Sequence, residues 1–184
     1  MANLYRLFNL VIAADPAYPG PRRALRLVKT ILGNPVVFDT PKSLILLRVD
    51  DPYSAVKLLE KQLGPDDPVL RVTPLDGETP PYVEDAAEAA RQILAEKLGE
   101  DEKPSFAVKI EGHLYSRETG ERLHSADAVR IIADGIDLPV NLGSPDLLVL
   151  VKVVRLSRSQ RYAGIMVAPP SAIYSRERKY RGGA

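Results

Sequence analysis

The chain has 184 residues, of which 45% are hydrophobic, and its 25 Lys or Arg residues against 24 Asp or Glu residues give a formal net charge of +1. This composition predicts a globular protein with one medium core or two small ones and excludes a disordered chain. The absence of cysteine excludes disulfides, thiolate catalysis and cysteine-built zinc sites, and two histidines are too few for a histidine-built metal centre.

The first part of the chain contains four short apolar runs and two stretches with apolar residues at helical spacing, which predict strands and helices respectively. In chain order these are the strand 4–13, the helix that starts at Pro21 and stops at Gly33, the strands 35–38 and 43–49, the helix from Pro52 to Gly64, and the strand 69–75. This order is typical of a ferredoxin-like domain, which we place at residues 1–76.

A break rich in turn residues follows at 76–81, and after it residues 82–98 have apolar positions at helical spacing. The apolar side of this helix consists mainly of small residues, such as Ala86 and Ala90. Small residues permit close helix packing, so we expect residues 77–104 to form a linker helix and connector that rests on both halves of the chain.

The remaining elements predict a second domain at residues 105–170 and a basic C-terminal tail at residues 171–184. In chain order the elements are a strand at 105–115, a polar loop at 117–122, a helix that starts near Ser125, and two strands at 147–156 and 162–168. We expect the Ser125 hydroxyl to cap its helix. The overall fold class is therefore predicted as α+β.

Positive charge is concentrated toward the C-terminus. Residues 147–184 contain eight Lys or Arg residues and one acidic residue, whereas residues 1–104 contain thirteen basic and sixteen acidic residues. Such asymmetry attracts polyanions and is typical of nucleic-acid partners. The candidate RNA contacts are Lys109, Arg117, Arg122, Lys152, Arg155, Arg158, Arg161, Arg176, Arg178 and Lys179, together with Arg22 and Arg26 on the first helix.

Each group of candidates has an alternative interpretation. Arg158 and Arg161 fit a charged, solvated turn as well as a phosphate contact, and the loop with Arg117 and Arg122 contains Glu118 and Glu121, which partly neutralise it. Arg22 and Arg26 fit the solvent side of a helix. The basic tail has too few apolar residues to fold alone, so we expect it to become ordered on RNA, with Tyr174 or Tyr180 stacking on a base, or on a protein partner.

Four segments of the second half resemble the THUMP domain, an RNA-binding module of tRNA-modifying enzymes. They are PSFAVKIEGHLY, LHSADAVRIIADGI, LPVNLGSPDLLVLVKVV and YAGIMVAP. The matching features are Ser125 before an aliphatic helix, Pro145 and Asp146 before a hydrophobic strand, and Gly164 with Ile165 in the next strand. THUMP domains usually follow a ferredoxin-like domain, which residues 4–76 also predict.

The resemblance implies a function. Catalytic THUMP proteins append a methyltransferase, deaminase or thiolation domain, and sixteen residues follow Ala168 here. It therefore implies a non-catalytic tRNA-binding adaptor, without cofactor or metal, for a partner tRNA cytidine acetyltransferase that forms N4-acetylcytidine. The alternatives are an RNA-binding subunit of another tRNA-modifying enzyme, for thiolation or methylation, and a ferredoxin-like regulatory protein that binds a small ligand.

Sequence motifs for catalysis and membrane insertion are missing. The chain has no glycine-rich phosphate loop, no Gly-x-Ser-x-Gly elbow and no metal-ligand spacing. No apolar run reaches the ~18 residues that a membrane-spanning helix needs. We therefore expect a cytoplasmic protein that is not an enzyme.

Overall fold

The structure is a computed structural model that describes residues 4–181 and divides them into two compact units. The first unit consists of residues 7–75, 156–158 and 171–181, and the second unit of residues 4–6, 76–155 and 159–170. Residues 1–3 of the predicted ferredoxin-like domain and residues 182–184 of the predicted tail lie outside the described residues. Each unit therefore combines segments that are distant in the chain.

The helices and strands follow the predicted order, with two short strands and one short helix added. In chain order they are β1 Leu10–Ala14, α1 Gly20–Leu32, β2 Val36–Asp39, β3 Leu44–Arg48, α2 Pro52–Gln62, β4 Val69–Pro74, β5 Gly77–Thr79, α3 Val83–Lys97, β6 Phe106–Glu111, α4 Ser125–Asp134, β7 Leu147–Arg155, β8 Arg161–Ala168, β9 Tyr174–Ser175 and α5 Arg176–Arg181. None of these helices is long and apolar enough to cross a bilayer.

The first unit is a five-stranded sheet in the order β2-β3-β1-β4-β9, with α1 and α2 packed together. Strand β1 pairs antiparallel with both β3 and β4, so Ile12 lies between Ile45 and Val72, and all three are fully buried. Strand β1 is therefore a central strand of this sheet. The arrangement of β1 to β4 with two helices is the ferredoxin-like fold predicted from the sequence.

Local sequence chemistry sets the helix boundaries in this unit. Gly33 ends α1 in the left-handed conformation, with φ of 73°, which glycine adopts without steric cost. Asp51 begins α2, because its carboxylate accepts hydrogen bonds from the backbone N–H groups of Tyr53 at 3.0 Å and Ser54 at 3.3 Å. Pro52 occupies the first helical position, where its missing N–H costs nothing.

The second unit is a four-stranded sheet in the order β5-β8-β7-β6. Strands β6 and β7 are parallel, whereas β7–β8 and β8–β5 are antiparallel. Helices α3 and α4 share a core with the sheet, in which Ala90, Ile132 and Ile165 are fully buried. A parallel pair requires a crossover connection, and α4 lies in the segment that joins β6 to β7.

The segment 77–104 differs from the predicted connector. Helix α3 belongs to the core of the second unit, where Ala86, Ala89 and Ala90 are completely buried. The predicted turn at 76–81 contains β5, which pairs with β8. The physical reason is that small side chains let α3 approach α4 and β8 closely along one face. The boundary of the second unit therefore lies at residue 76 rather than 105.

The described part of the tail also differs from the prediction, because it is folded. Strand β9 pairs with β4, and Tyr174 is 1% exposed in the core of the first unit. The Tyr180 hydroxyl donates a hydrogen bond to the carbonyl of Leu63, at 2.7 Å, just after α2. One large buried ring and several hydrogen bonds from the tail to backbone carbonyls of the first unit thus compensate for the low apolar content of the tail.

The start of α4 corrects a further prediction. The N-cap position is His124, without a side-chain cap, and Ser125 is the first helical residue. The Ser125 hydroxyl is therefore not the predicted cap. Asp127 in the first turn supplies a negative charge near the exposed N–H groups instead.

Candidate nucleic-acid interface

The second unit contains an open cleft with a volume of about 480 Å³ whose walls are rich in tyrosine. Its lining consists of Tyr5, Pro80, Pro81, Tyr82, Tyr115, Gly120, Ser159, Gln160, Arg161 and Tyr162, and we refer to it as the aromatic cleft. The rings of Tyr5 and Tyr162 meet edge to face, with centroids 6.0 Å apart and an interplanar angle of 86°. This is a favoured geometry for an aromatic pair.

Backbone hydrogen bonds hold the tyrosines in place. The Tyr115 N–H donates to the carbonyl of Pro81 at 3.0 Å, and the Val83 N–H donates to the carbonyl of Tyr115 at 2.9 Å. Tyr82 immediately precedes α3, and Tyr162 is the second residue of β8. The rings are therefore carried by regular elements and fixed turns, which favours a preformed binding surface.

The loop that contains Arg117 and Arg122 closes one side of the aromatic cleft through Gly120. The loop is tight, because the Gly120 N–H donates to the carbonyl of Ser116 at 2.8 Å and Gly120 adopts φ of 72°. Arg122 forms a backbone bridge with Tyr115. Both ends of the loop are thus tied to residues at the cleft.

Arg117 lies at the N-terminal end of α3, where residues of the first helical turn hold it. Its backbone N–H donates to both oxygens of the Glu84 carboxylate, at 3.2 and 3.1 Å, and its guanidinium forms an ion pair with Asp85. The hydrogen bond and charge of Asp85 raise the pKa of Arg117. The guanidinium also lies over the Tyr82 ring, 4.9 Å from the centroid. Arg117 is therefore fixed in place but partly neutralised.

The β7–β8 hairpin forms the other side of the aromatic cleft. Arg155 and Arg161 lie directly opposite each other across the two strands. The Arg155 guanidinium donates to the Ser159 hydroxyl at 3.2 Å, and Ser159 and Arg161 line the cleft. Within residues 4–181, the side chains of Arg122 and Arg161 make no hydrogen bond or ion pair. These two charges are available to a ligand.

Lys109 and Lys152 lie elsewhere in the second unit. Lys152 on β7 is opposite Glu111 on β6, and its ammonium lies 2.6 Å from one Glu111 oxygen. The Lys109 ammonium lies 3.7 Å from the other oxygen of the same carboxylate. Only 14% of the Lys152 side chain is exposed. Glu111 therefore neutralises much of the charge that the sequence assigned to these strands.

The basic side chains predicted as RNA contacts in the tail donate hydrogen bonds to carbonyls of the first unit. The Arg176 guanidinium donates to the carbonyl of Asp67 at 2.9 Å, the Arg178 guanidinium to that of Ile173, and the Lys179 ammonium to that of Glu60. Burial raises the pKa of Tyr174 and leaves its ring unavailable for a base, which corrects one of the two stacking predictions.

Arg22, Arg26 and Arg158 complete the predicted set in the first unit. Arg22 and Arg26 are exposed on α1. Arg158 lies near Asp39; burial alone would raise the pKa of that carboxyl, but hydrogen bonds from Ser157, with help from Thr40 and the Arg158 charge, lower it. The twelve predicted contacts are thus divided equally between the two units.

Four of the twelve lie at the aromatic cleft: Arg161 lines it, and Arg117, Arg122 and Arg155 each contact or pair with a residue that lines it. The tyrosines of the cleft, Tyr5, Tyr82, Tyr115 and Tyr162, were not predicted as site residues from the sequence. The usable indication was their position next to predicted turns, since Tyr82 follows two prolines and Tyr162 follows the hairpin link. Within residues 4–181, no group of three or more His, Cys, Asp or Glu residues could hold a metal ion.

The fold is similar to that of several solved structures. PH1313 from Pyrococcus horikoshii Ot3 matches with a TM-score of 0.55 at 15% identity, over 88% of this chain and 55% of that one. TrmN from Thermus thermophilus matches with a TM-score of 0.54 at 14% identity, over 95% and 48% of the two chains. A 4-thiouridine synthetase in complex with RNA and bound ATP matches with a TM-score of 0.52 at 12% identity, over 88% and 42%.

These similarities are structural only. Comparison with protein-family models gives no match, and neither does comparison with the sequences of curated proteins. The chain spans about half the length of the solved structures that it matches. What the matches support is an α+β fold that this chain shares with those proteins.

Proposed function

We propose that the chain is a non-catalytic tRNA-binding protein that presents tRNA to a separate modifying enzyme, specifically a tRNA cytidine acetyltransferase that forms N4-acetylcytidine. The observation that carries this proposal is the aromatic cleft with its four surrounding arginines. The acetyltransferase partner rests on the sequence resemblance to THUMP adaptors.

The chemistry of the aromatic cleft suits RNA. Guanidinium groups bind phosphate through charge-assisted hydrogen bonds and release condensed counterions. Tyrosine rings provide faces on which unpaired bases stack. Ser159 and Gln160 add short polar donors of the kind that contact phosphate. A surface with both cations and rings favours a partly single-stranded RNA over a small neutral ligand.

The structural similarity supports tRNA modification as the setting. One of the solved structures that share the fold is a 4-thiouridine synthetase bound to RNA. That observation also favours a second candidate function, in which the chain serves as the RNA-binding subunit of a thiolation enzyme. The two candidates share the RNA interface and differ only in the partner.

The RNA interface is tested by measuring the Kd of purified protein for total tRNA across a range of salt concentrations. We expect the double variant Arg155→Gln/Arg161→Gln to bind more weakly and to reduce the slope of log Kd against log salt by about two, because each phosphate contact contributes about one. The matched control is Lys57→Gln/Lys61→Gln, a pair of exposed lysines on α2 of the first unit. Equal losses in both variants contradict the proposal.

The partner is tested by reconstitution. We expect no N4-acetylcytidine when the protein is incubated with tRNA and acetyl-CoA alone, and acetylation when a tRNA cytidine acetyltransferase is added. Omitting the chain, or replacing it with Arg155→Gln/Arg161→Gln, should reduce the yield. Stimulation of a thiolation enzyme in place of the acetyltransferase selects the second candidate.

A further inference from the structure

A second cleft in the same unit has a different chemistry. It lies at the C-terminal end of α3 and has a volume of about 470 Å³. Its apolar lining consists of Leu94, Ala95, Leu98, Ile136 and Leu138, and we refer to it as the α3–α4 groove. Leu98, Ile136 and Leu138 remain partly exposed although they pack against the core.

Both rims of the α3–α4 groove are held by local hydrogen bonds. On the α3 side, the Glu102 carboxylate accepts from the Gly99 N–H at 3.0 Å, which closes the turn after α3. On the α4 side, the Ile136 N–H donates to the carbonyl of Ala133 at 3.0 Å. The groove is therefore formed before any ligand arrives, which lowers the entropic cost of binding.

The rim of the groove is predominantly negative. Arg91 is one of its two cations, and its guanidinium lies against Gly135 at the C-terminal end of α4, where helix carbonyls carry partial negative charge. Lys103 is the other cation of the lining. The acidic residues of the lining are Glu100, Glu102 and Asp137. Among the exposed residues that adjoin the lining in sequence, Glu96, Asp101 and Asp134 are acidic, and the cation Lys97 forms an ion pair with Asp76.

Apolar surface continues along the chain beyond the groove. After Leu138, the segment runs beside the first residue of β6, where the Asn141 N–H donates to the carbonyl of Phe106 at 2.9 Å. Within this segment Val140 is 61% exposed and Leu142 is 79% exposed. Large apolar side chains next to a groove with a polar rim are typical of protein interaction sites.

We propose that the α3–α4 groove binds a protein segment that carries apolar side chains flanked by lysine or arginine. The apolar floor suits leucine or isoleucine side chains of an amphipathic helix. The acidic rim attracts the flanking cations and repels phosphates, so the groove is a protein site rather than an extension of the RNA interface.

The position of the groove relative to the aromatic cleft permits both to be occupied together. Tyr82, in the aromatic cleft, immediately precedes α3, whereas Leu94 and Leu98, in the groove, lie at its other end. A helix of 15 residues spans about 22 Å. We assign the bound segment to the modifying enzyme, and this assignment rests on the proposed function. The preference of the groove for apolar and cationic side chains does not depend on that function.

The proposal is tested with two synthetic amphipathic peptides, one of leucine and lysine at helical spacing and one with glutamate in place of lysine. We expect the full chain to bind the lysine peptide and not the glutamate peptide. The amide resonances of Leu98, Gly99 and Ile136 should shift on binding. Binding of both peptides equally, or shifts confined to other residues, contradicts the proposal.

Variants separate groove binding from general attraction between a basic peptide and an acidic surface. The variant Glu100→Lys/Asp137→Lys reverses two exposed charges and should lower the affinity for the lysine peptide by about tenfold. The control Glu118→Lys/Glu121→Lys makes the same charge change in the loop at the aromatic cleft. It should change the affinity for the lysine peptide by less than about twofold. Ala95→Arg places a long side chain in the groove from an exposed helical position and should abolish binding of the lysine peptide. Equal losses in the two charge variants overturn the proposal.

Two further measurements distinguish the remaining outcomes. Sedimentation velocity shows whether the chain self-associates, and a dimer that Glu100→Lys/Asp137→Lys dissociates assigns the groove to a second copy and overturns the proposal. The affinity of the same variant for tRNA should equal that of the unmodified chain. Failure of tRNA binding with intact peptide binding refutes the proposed function alone, and the reverse refutes this inference alone.

Discussion

The aromatic cleft and the folded tail are both rich in arginine, yet they use that charge differently. In the tail, the side chains of Arg176, Arg178 and Lys179 donate to backbone carbonyls of the first unit. At the aromatic cleft, Arg122 and Arg161 have no such partner among the described residues. The two regions therefore differ in how many of their cationic side chains remain available to a ligand.

This difference shows why charge in a sequence does not locate an interface. The carbonyls that accept from the tail lie in the last turn of α2, at Glu60, and before β4, at Asp67. Carbonyls at helix ends lack helical partners, and cationic side chains are good donors to such groups. The β7–β8 hairpin satisfies its own backbone in the strand ladder, and the Arg161 guanidinium has no hydrogen-bond or ion-pair partner among the described residues. A cationic side chain remains available to a ligand where no nearby backbone carbonyl accepts its hydrogen bonds.

The largest expected effect tests whether the tail is structural. Replacement Tyr174→Ala should lower the free energy of unfolding by roughly 3–5 kcal/mol, because it removes a fully buried aromatic side chain from the core of the first unit. Chemical denaturation followed by circular dichroism measures the loss. At temperatures where the variant is folded, its affinity for tRNA should change little.

Tyr174→Phe is the matched control for that variant. The Tyr174 hydroxyl is buried and has no hydrogen-bond partner among residues 4–181, so its removal should leave stability unchanged or raise it slightly. A loss of tRNA affinity in both variants at full folding places RNA contacts in the tail and breaks the contrast with the aromatic cleft.

The next effect tests the rings of the aromatic cleft. Tyr82→Leu and Tyr162→Leu should each weaken tRNA binding by about tenfold or more, because a stacked base contributes ~1–3 kcal/mol. The salt dependence of Kd should not change, since no charge is removed. Tyr18→Leu, at a tyrosine of the first unit that is 84% exposed, is the control and should have no effect. Equal weakening by Tyr18→Leu is the outcome against stacking in the cleft.

Neutral substitutions compare the cations of the two regions directly. Arg122→Met and Arg161→Met should each weaken tRNA binding by roughly tenfold, as expected for the loss of a hydrogen bond to a charged group. Arg178→Met and Lys179→Met should change the affinity by less than about twofold, since these side chains already bond to carbonyls. A fluorescence titration with tRNA measures the affinity of all four variants. A larger loss of affinity in the two tail variants than in the two cleft variants refutes the assignment of the interface.

The smallest effect concerns the carboxylate that holds Arg117. Asp85→Asn should strengthen tRNA binding by about twofold, because it removes a negative charge from the edge of the aromatic cleft at a distance where screening is incomplete. The control Asp127→Asn removes the carboxylate of another exposed ion pair of the second unit, with Arg130, and should not alter Kd. Weaker binding by Asp85→Asn indicates instead that Asp85 positions Arg117 for the RNA.

Much of the fold could be predicted from the sequence. Apolar periodicity gave the main strands and the helices α1 to α4, because burial on one face imposes a regular spacing. The strands β5 and β9 were missed, since three and two residues are too short for a period to be visible. The placement of α3 in a core was missed because an alanine-rich face fits a connector as well as a close helix–sheet contact.

The candidate site was only partly predictable. The arginines around the aromatic cleft were identified from composition and loop position, whereas their tyrosines come from four separate parts of the chain that only tertiary structure brings together. The ion pair between Glu111 and Lys152 depends on the parallel register of β6 and β7, which no local pattern fixes. The sequence therefore does not predict which distant residues are brought into contact, because strand register is not fixed by a local pattern.

The most direct test of the RNA interface is ultraviolet crosslinking of the full chain to tRNA, followed by mass spectrometry of the crosslinked peptides. Aromatic side chains that stack on bases are close enough to form crosslinks. We predict crosslinks at Tyr82, Tyr115 or Tyr162, and their loss in Arg155→Gln/Arg161→Gln. Crosslinks confined to residues 176–181, with none at the aromatic cleft, would contradict the account.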